Sequence, residues 1–268
     1  MRCGNRSKRF VSLFLLGVLT FFNIEILANA KGYDDTGLSS CELSIGVSNW
    51  LPYQSISDSG VAAGKQVKLV KQIAKLAGCK LNFKRIKFVD GLAQMKVGET
   101  DMQMNASYSI EREQYSYFSI PYRKEFLLLY STPKFAEMCQ TASLEELIKQ
   151  GFKLGLQYQL VYGPELTKIQ KTPELNSKIL YTNNNVQHVK LVKENNLDGV
   201  VDDPVVVSYR SALNGTGKAL QSCPIVVSSS PISLIFSKKS VSTEVVKRFN
   251  QAIKTVQNTP EYQREWSW

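Results

Sequence analysis

The sequence predicts an α/β fold in two lobes, each a sheet flanked by helices, with two crossings of the chain between them. Three observations predict it. Strand-like and helical stretches alternate as β-α-β-α-β through residues 42–106, the succession of a parallel sheet with helices on both faces. Phe126–Ser131 is a near-continuous apolar run suited to a buried strand leaving that set, and a second alternating set follows it. Finally, with a leader of thirty residues removed, 238 of the 268 residues remain, enough for two compact units.

The leader comes first. Arg2, Arg6, Lys8 and Arg9 form a basic start, Phe10–Phe22 an apolar core, and Ala28-Asn29-Ala30 a small-x-small cleavage pattern. The apolar run is short of the ~20 residues that span a bilayer. Cys3 precedes the core and so is not placed for lipid attachment. Cleavage after Ala30 and export are expected. The formal charge is +10, of which the leader carries a net +3, leaving +7 on the rest. Such a balance suits acidic ligands or envelope polymers. Export and the absence of any binding motif argue against nucleic acid.

In the first set, Glu42–Val47 alternates as a strand, followed by a loop holding Trp50, Pro52 and Tyr53. Lys65–Ala77 predicts a helix with Val67, Val70, Ile73, Ala74 and Ala77 on one face and a solvated stripe of Lys68, Lys71 and Lys75 on the other. Gly78 ends it. Lys80–Ile86 reads as a strand, Asp90–Val97 as a helix closed by Gly98, and Met102–Ala106 as a third strand. In the second set, helices are expected over Leu144–Lys149, Val186–Asn195 and Pro204–Ala212. Strands are expected at Lys153–Leu156, Gly199–Val201 and Ile225–Val227. Ile232–Phe236 then returns as a strand, followed by a Thr243–Val256 helix. These place one lobe at residues 31–131 with 231–268 and the other at 132–230, with crossings near Tyr130–Pro133 and Ser228–Ile232.

Without the leader, four cysteines remain, Cys41, Cys79, Cys139 and Cys223, an even set with three possible pairings. Cys41 and Cys79 open neighbouring strands of a βαβ unit and so can pair, leaving Cys139 with Cys223. Free buried thiols or metal ligands are the alternatives, although no pair has the close spacing of a zinc site and the only histidine is His188. That single histidine sits in a polar helix, where a surface position is expected. It leaves no Ser-His-Asp or Cys-His constellation to assemble.

Residues Asn105 to Tyr122 are the most informative stretch. Hydroxyls at Ser107 and Ser109 precede Arg112, and an aromatic-proline turn closes the segment. A guanidinium offers a planar fork of donors to a carboxylate, and serine hydroxyls can complete the acceptor's shell. Arg112 could instead pair with Glu111 or Glu113. The stretch resembles the "small-Ser-x-Thr/Ser-Pro-Glu-Arg … Phe-Ser-x-Pro-Tyr" loop of the bacterial extracellular solute-binding proteins of family 3. Trp50-Leu51-Pro52-Tyr53, Leu197–Asp203, Phe236–Lys239 and the segment around Pro260-Glu261-Tyr262 and Trp266 match other elements of that family in order.

The resemblance implies a type II periplasmic binding protein-like fold and capture of a small solute, an amino acid or derivative, for an ABC importer. It implies that Arg112 holds the ligand carboxylate with Ser107 and Ser109, that Trp50 packs on the ligand, and that Asp203 receives its α-ammonium. Asp202 is the competing candidate, and either acid also suits the N-cap of the helix predicted from Pro204. The chain departs from the family at Leu156–Gly163, where a Gly-Thr-Thr-like turn is replaced. There Gln159, with Tyr158 and Tyr162, could contact a larger or less acidic ligand. Lys65-Gln66 also replaces a common aromatic-acidic pair. No catalysis, cofactor or metal is expected; a monomer that docks on an inner-membrane permease or sensor is. The alternatives are a sensory subunit and an enzyme like the periplasmic dehydratases of cyclohexadienyl acids, which needs a general acid that no isolated carboxyl here announces.

Overall fold

The computed structural model describes residues 41–158, 160–182, 185–214 and 220–266. The leader expected over residues 1–30, and Gln159, lie outside the described residues. In chain order the elements begin with β1 (Cys41–Val47), β2 (Ser55–Ile56), β3 (Ala62–Ala63), α1 (Lys65–Leu76), β4 (Cys79–Arg85) and α2 (Phe88–Val97). They continue with β5 (Met102–Ala106), α3 (Ile110–Tyr115), β6 (Ser116–Phe118), β7 (Arg123–Ser131), α4 (Leu144–Lys149) and β8 (Leu154–Gln157). Then come α5 (Pro164–Lys171), α6 (Pro173–Asn176), β9 (Ile179–Thr182), α7 (Asn185–Lys193), β10 (Gly199–Asp202) and α8 (Pro204–Asn214). The chain closes with β11 (Gln221–Ser237), α9 (Thr243–Gln257) and α10 (Pro260–Trp266).

Local chemistry explains the boundaries. α1 buries Val67, Val70, Ile73 and Ala74 while Lys68, Lys71 and Lys75 stay exposed, as the periodicity predicts. α2 ends at Gly98, whose φ of 87° lies in the left-handed region that a side chain disfavours. α4 starts in a capping box, with the Ser143 hydroxyl accepting from the Glu146 N–H and the Glu146 carboxylate accepting from the Ser143 N–H.

Nine strands form one curled sheet in the order β4-β1-β5-β11-β7-β10-β8-β9, with β6 also paired to β11. β1 runs parallel to β4 and β5, and β8 parallel to β9 and β10. Among the described residues the strand ladders of these two parallel sets are linked through β7 and β11, which are antiparallel to each other. Each set has its own core, one built around Val70, Ile73, Phe236 and Phe249, the other around Leu144, Phe152, Leu154 and Leu166. This is the two-lobed α/β fold with two crossings.

The crossings differ in detail from expectation. β7 already pairs with β10 through Leu128–Ser131, so the first crossing lies at Lys124–Phe126, ahead of Tyr130–Pro133. The two strands expected at Ile225–Val227 and Ile232–Phe236 are one strand of 17 residues. At Pro231 β11 pairs with β7 alone, opposite Lys124, so a residue without an N–H disturbs no second ladder. α5, α6 and β9 were not anticipated.

Cys41 and Cys79 are register partners at the start of β1 and β4, and their sulfurs are bonded with Cα atoms 4.5 Å apart. Cys139 joins Cys223 with Cα atoms 5.5 Å apart. No helix among the described residues is long and apolar enough to cross a membrane.

Candidate functional site

A cavity of about 720 Å³ is lined from both parallel sets, by Trp50, Ser107 and Arg112 on one side and Gln157, Tyr162 and Asp202 on the other. Its walls are built locally. β5 is buried through Met104, and Asn105, whose φ of 67° is a conformation asparagine tolerates, makes a turn within the strand where its register with β11 shifts. The Tyr122 hydroxyl holds that turn by accepting from the Asn105 N–H at 3.1 Å. Ser109 then caps α3, its hydroxyl accepting from the Arg112 N–H at 3.2 Å. The cap fixes the register that sends Arg112 into the cavity wall.

Arg112 is buried, with Nη1 donating to the Ser107 carbonyl at 2.8 Å and its guanidinium 5.3 Å from the centre of the Phe88 ring. The candidate acids are engaged elsewhere: Glu111 with Lys96 at 3.2 Å, and Glu113 with the Tyr108 hydroxyl at 2.6 Å. No ion pair from Arg112 to a carboxylate occurs among the described residues. Burial lowers its pKa from the ordinary arginine value, with Tyr115 and Glu111 opposing. A guanidinium nevertheless stays charged at any physiological pH.

Of the other expected residues, Trp50 and Ser107 line the cavity, whereas the Ser109 hydroxyl serves the cap of α3. Trp50 stacks on Tyr53 with ring centroids 4.6 Å apart. Asp203 is not part of the lining. Its carboxylate caps α8, accepting from the N–H of Val205 at 2.8 Å, and takes the Tyr53 hydroxyl at 3.1 Å. Asp202, one residue earlier at the end of β10, does face the cavity and pairs with Arg210 at 3.2 Å.

His188 is a correction. Expected at the surface, it is 2% exposed, because α7 packs across β10, β8 and β9 and its polar face meets the sheet instead of solvent. Its Nε2 lies 2.7 Å from the Thr182 hydroxyl and 3.3 Å from the Leu156 carbonyl. Burial pushes its pKa down to about 4, so the ring is neutral at neutral pH. Gly155 makes room for it: a Cβ there would come within 3.2 Å of the ring.

Sequence reasoning missed a buried polar cluster at the cavity floor. Arg123, at the start of β7, donates from Nε to Gln66 Oε1 at 2.8 Å, from Nη1 to the Lys124 carbonyl at 3.0 Å, and from Nη2 to Asn105 Oδ1. Its guanidinium lies against the Tyr53 and Trp50 rings, 5.0 and 5.7 Å from their centres. Glu125, two residues on, borders the cavity with Oε1 3.4 Å from Arg123 Nη2. The one available signal was Gln66, which departs from the resembling family's pattern at a position this cluster occupies.

The family model of the bacterial extracellular solute-binding proteins, family 3, matches residues 43–266. No curated protein matches the sequence significantly. Among solved structures, a histidine kinase sensor domain with similarity to periplasmic binding proteins aligns with a TM-score of 0.68 at 18% identity. The alignment covers 85% of this chain and 96% of that one. Holo ArgBP from T. maritima gives 0.65 at 19% identity, over 82% and 92% of the two chains. An ancestral amino acid-binding protein described as a precursor of cyclohexadienyl dehydratase gives 0.65 at 22% identity, over 84% and 94%. At these identities the likeness is one of fold.

Proposed function

We infer function from one premise: the chain belongs to the bacterial extracellular solute-binding proteins, family 3. We propose that it captures a small carboxylate-bearing solute, an amino acid or a derivative of one, in the cavity between its lobes. The observation that carries this is Arg112, a buried cation in the cavity wall with no carboxylate partner among the described residues. A desolvated guanidinium without a counter-ion binds a carboxylate strongly, since the ligand supplies the missing charge and two acceptors in the right plane.

In this reading the carboxylate docks on Arg112 beside Ser107, and the indole of Trp50 covers the solute. The ammonium goes to Asp202 rather than Asp203, because Asp202 faces the cavity while Asp203 is engaged by Tyr53 and α8. Gln159 stays a candidate ligand contact on the resemblance alone. The expected lobe boundary at residue 131 moves back to the first crossing, so the lobes part near residues 124–126 and 228–232 and hinge on the paired strands β7 and β11. Closure adds the second wall's contacts and expels water; no covalent step is needed. An amino acid-sized ligand is supported by the solved structures, one an ancestral arginine-binding protein bound to arginine and one an ancestral amino acid-binding protein.

The leader would deliver the protein to the periplasm, cleaved after Ala30, where it acts as a monomer that hands its solute to an inner-membrane ABC permease. The likeness to a histidine kinase sensor domain favours one second reading, a sensory subunit that reports the closed state to a membrane receptor. A thermal-shift screen of amino acids, polyamines and small carboxylates tests the proposal. A binder present at 100 times its Kd raises stability by ~2.7 kcal/mol, a clear melting shift. No shift from any carboxylate would overturn it.

A further inference from the structure

We propose that Glu125 is a second ligand-binding carboxylate, making the cavity select a solute with a cationic group beyond the ammonium assigned to Asp202. The chemical class is a carboxylic acid carrying a side-chain ammonium or guanidinium. The inference rests on the reading of the cavity as a solute site and adds the charge that site demands.

Among the Gln66, Lys124, Asn105 and Glu125 oxygens around Arg123, that of Glu125 is the loosest at 3.4 Å. The Gln66, Lys124 and Asn105 oxygens hold the guanidinium in place without it. Asp203 is likewise satisfied by Tyr53, Val205 and Val206. Two buried carboxylates therefore share the field of one guanidinium. The nearby Lys65 ammonium is turned to the Glu265 carbonyl at 2.5 Å. Of the two carboxylates, only Glu125 borders the cavity, with a side chain 12% exposed. A half-held buried carboxylate facing a cavity is costly unless a proton or a cation joins it.

The charge pattern agrees. Burial raises the Glu125 carboxyl above its ordinary pKa, Asp203 raises it further, and Arg123 opposes. The other groups whose charge couples to Glu125 are Tyr53, Tyr122 and Tyr162. All three have raised pKa values and stay neutral, so the proton balance lies with the carboxyls. A ligand cation at Glu125 takes the place of a proton, and its affinity falls as pH falls through the raised carboxyl pKa.

The test is calorimetry of wild type, Glu125→Gln, Glu125→Asp and Arg112→Ala with four probes. L-lysine and L-arginine carry the extra cation, L-norleucine lacks it, and cadaverine has cations without a carboxylate. The expected result is that wild type binds L-lysine or L-arginine more tightly than L-norleucine. Glu125→Gln should then lose at least about tenfold for the cationic probes and little for L-norleucine, with Glu125→Asp between them. Lowering the pH should weaken L-lysine binding to wild type more than to Glu125→Gln, read from titrations at several pH values. Melting curves establish that the variants are folded. Loss of cadaverine binding in Glu125→Gln but not in Arg112→Ala would sustain the inference while removing the carboxylate reading. Equal losses for L-lysine and L-norleucine in Glu125→Gln, or no preference of wild type for a cationic probe, would overturn it.

Discussion

Arg112→Ala should abolish tight binding while leaving a folded protein. The variant loses one charged hydrogen bond, Nη1 to the Ser107 carbonyl at 2.8 Å, and the contact with the Phe88 ring at 5.3 Å. Those are worth ~1.5–3 and ~0.5–2 kcal/mol, and the loss is offset in part because a buried charge no longer has to be desolvated. The net cost is a fraction of the ~5–15 kcal/mol that holds a domain together. Binding suffers more, since the ligand carboxylate is left in a closed cavity without a counter-ion. Truncating one side of such a pair costs ~2–5 kcal/mol, or roughly 30-fold to several thousand-fold in Kd. The assay is calorimetry with the tightest ligand from the thermal-shift screen, alongside a melting curve. Arg112→Lys separates charge from geometry: it keeps the cation but not the fork, and should recover only part of the loss. An affinity unchanged beyond about threefold in a normally melting Arg112→Ala protein would remove Arg112 from the site.

Asp202→Asn should weaken amine-bearing ligands at least about tenfold while sparing simple carboxylates. Asp203→Ala should instead cost ~0.5–2 kcal/mol of stability through the lost α8 cap; the reverse pattern, by calorimetry and melting, would return the ammonium role to Asp203. Both disulfides should be fully formed in exported protein, with no thiol reacting after unfolding without reductant. The 38- and 84-residue separations imply ~4 and ~4.5 kcal/mol in the chain-entropy account, so reduction should lower the melting temperature markedly. His188 gives a pH signature. Its folded pKa of about 4 lies below the unfolded 6.5, so its contribution is complete above pH 6.5 and is lost as pH falls toward 4, ~3 kcal/mol in all. His188→Phe should flatten that limb of the stability profile, and an unchanged slope would show that His188 is not the group responsible.

The elements legible in the sequence were those with their own periodicity. α1 shows a clean apolar face, β10 carries the adjacent pair Val200 and Val201, and Gly78 and Gly98 mark helix ends by their positive φ. α5 has only Leu166 and Ile169 to bury, and β9 is four residues with two of them buried, so neither rises above a polar background. Missing β9 also misplaced His188, since a helix face looks solvated until the strand beneath it is known. The site divides in the same way. Arg112 was readable because its cap, its loop and its turn are neighbours in sequence. Glu125 and Arg123 were not, because Gln66 and Asp203, their partners in the cluster, lie 57 residues before Arg123 and 78 after Glu125. No local spacing encodes a cluster assembled across the sheet.

The position of β11 has a consequence for how the protein is made. It is the last strand of the chain, yet it lies between β5 and β7 in the middle of the sheet. A chain emerging from ribosome or translocase presents β5 and β7 with open edges until residue 237 has appeared. Neither half of the sheet can be completed early, and the two are closed together by one late insertion. A product truncated before Gln221 would carry open edges on β5 and β7.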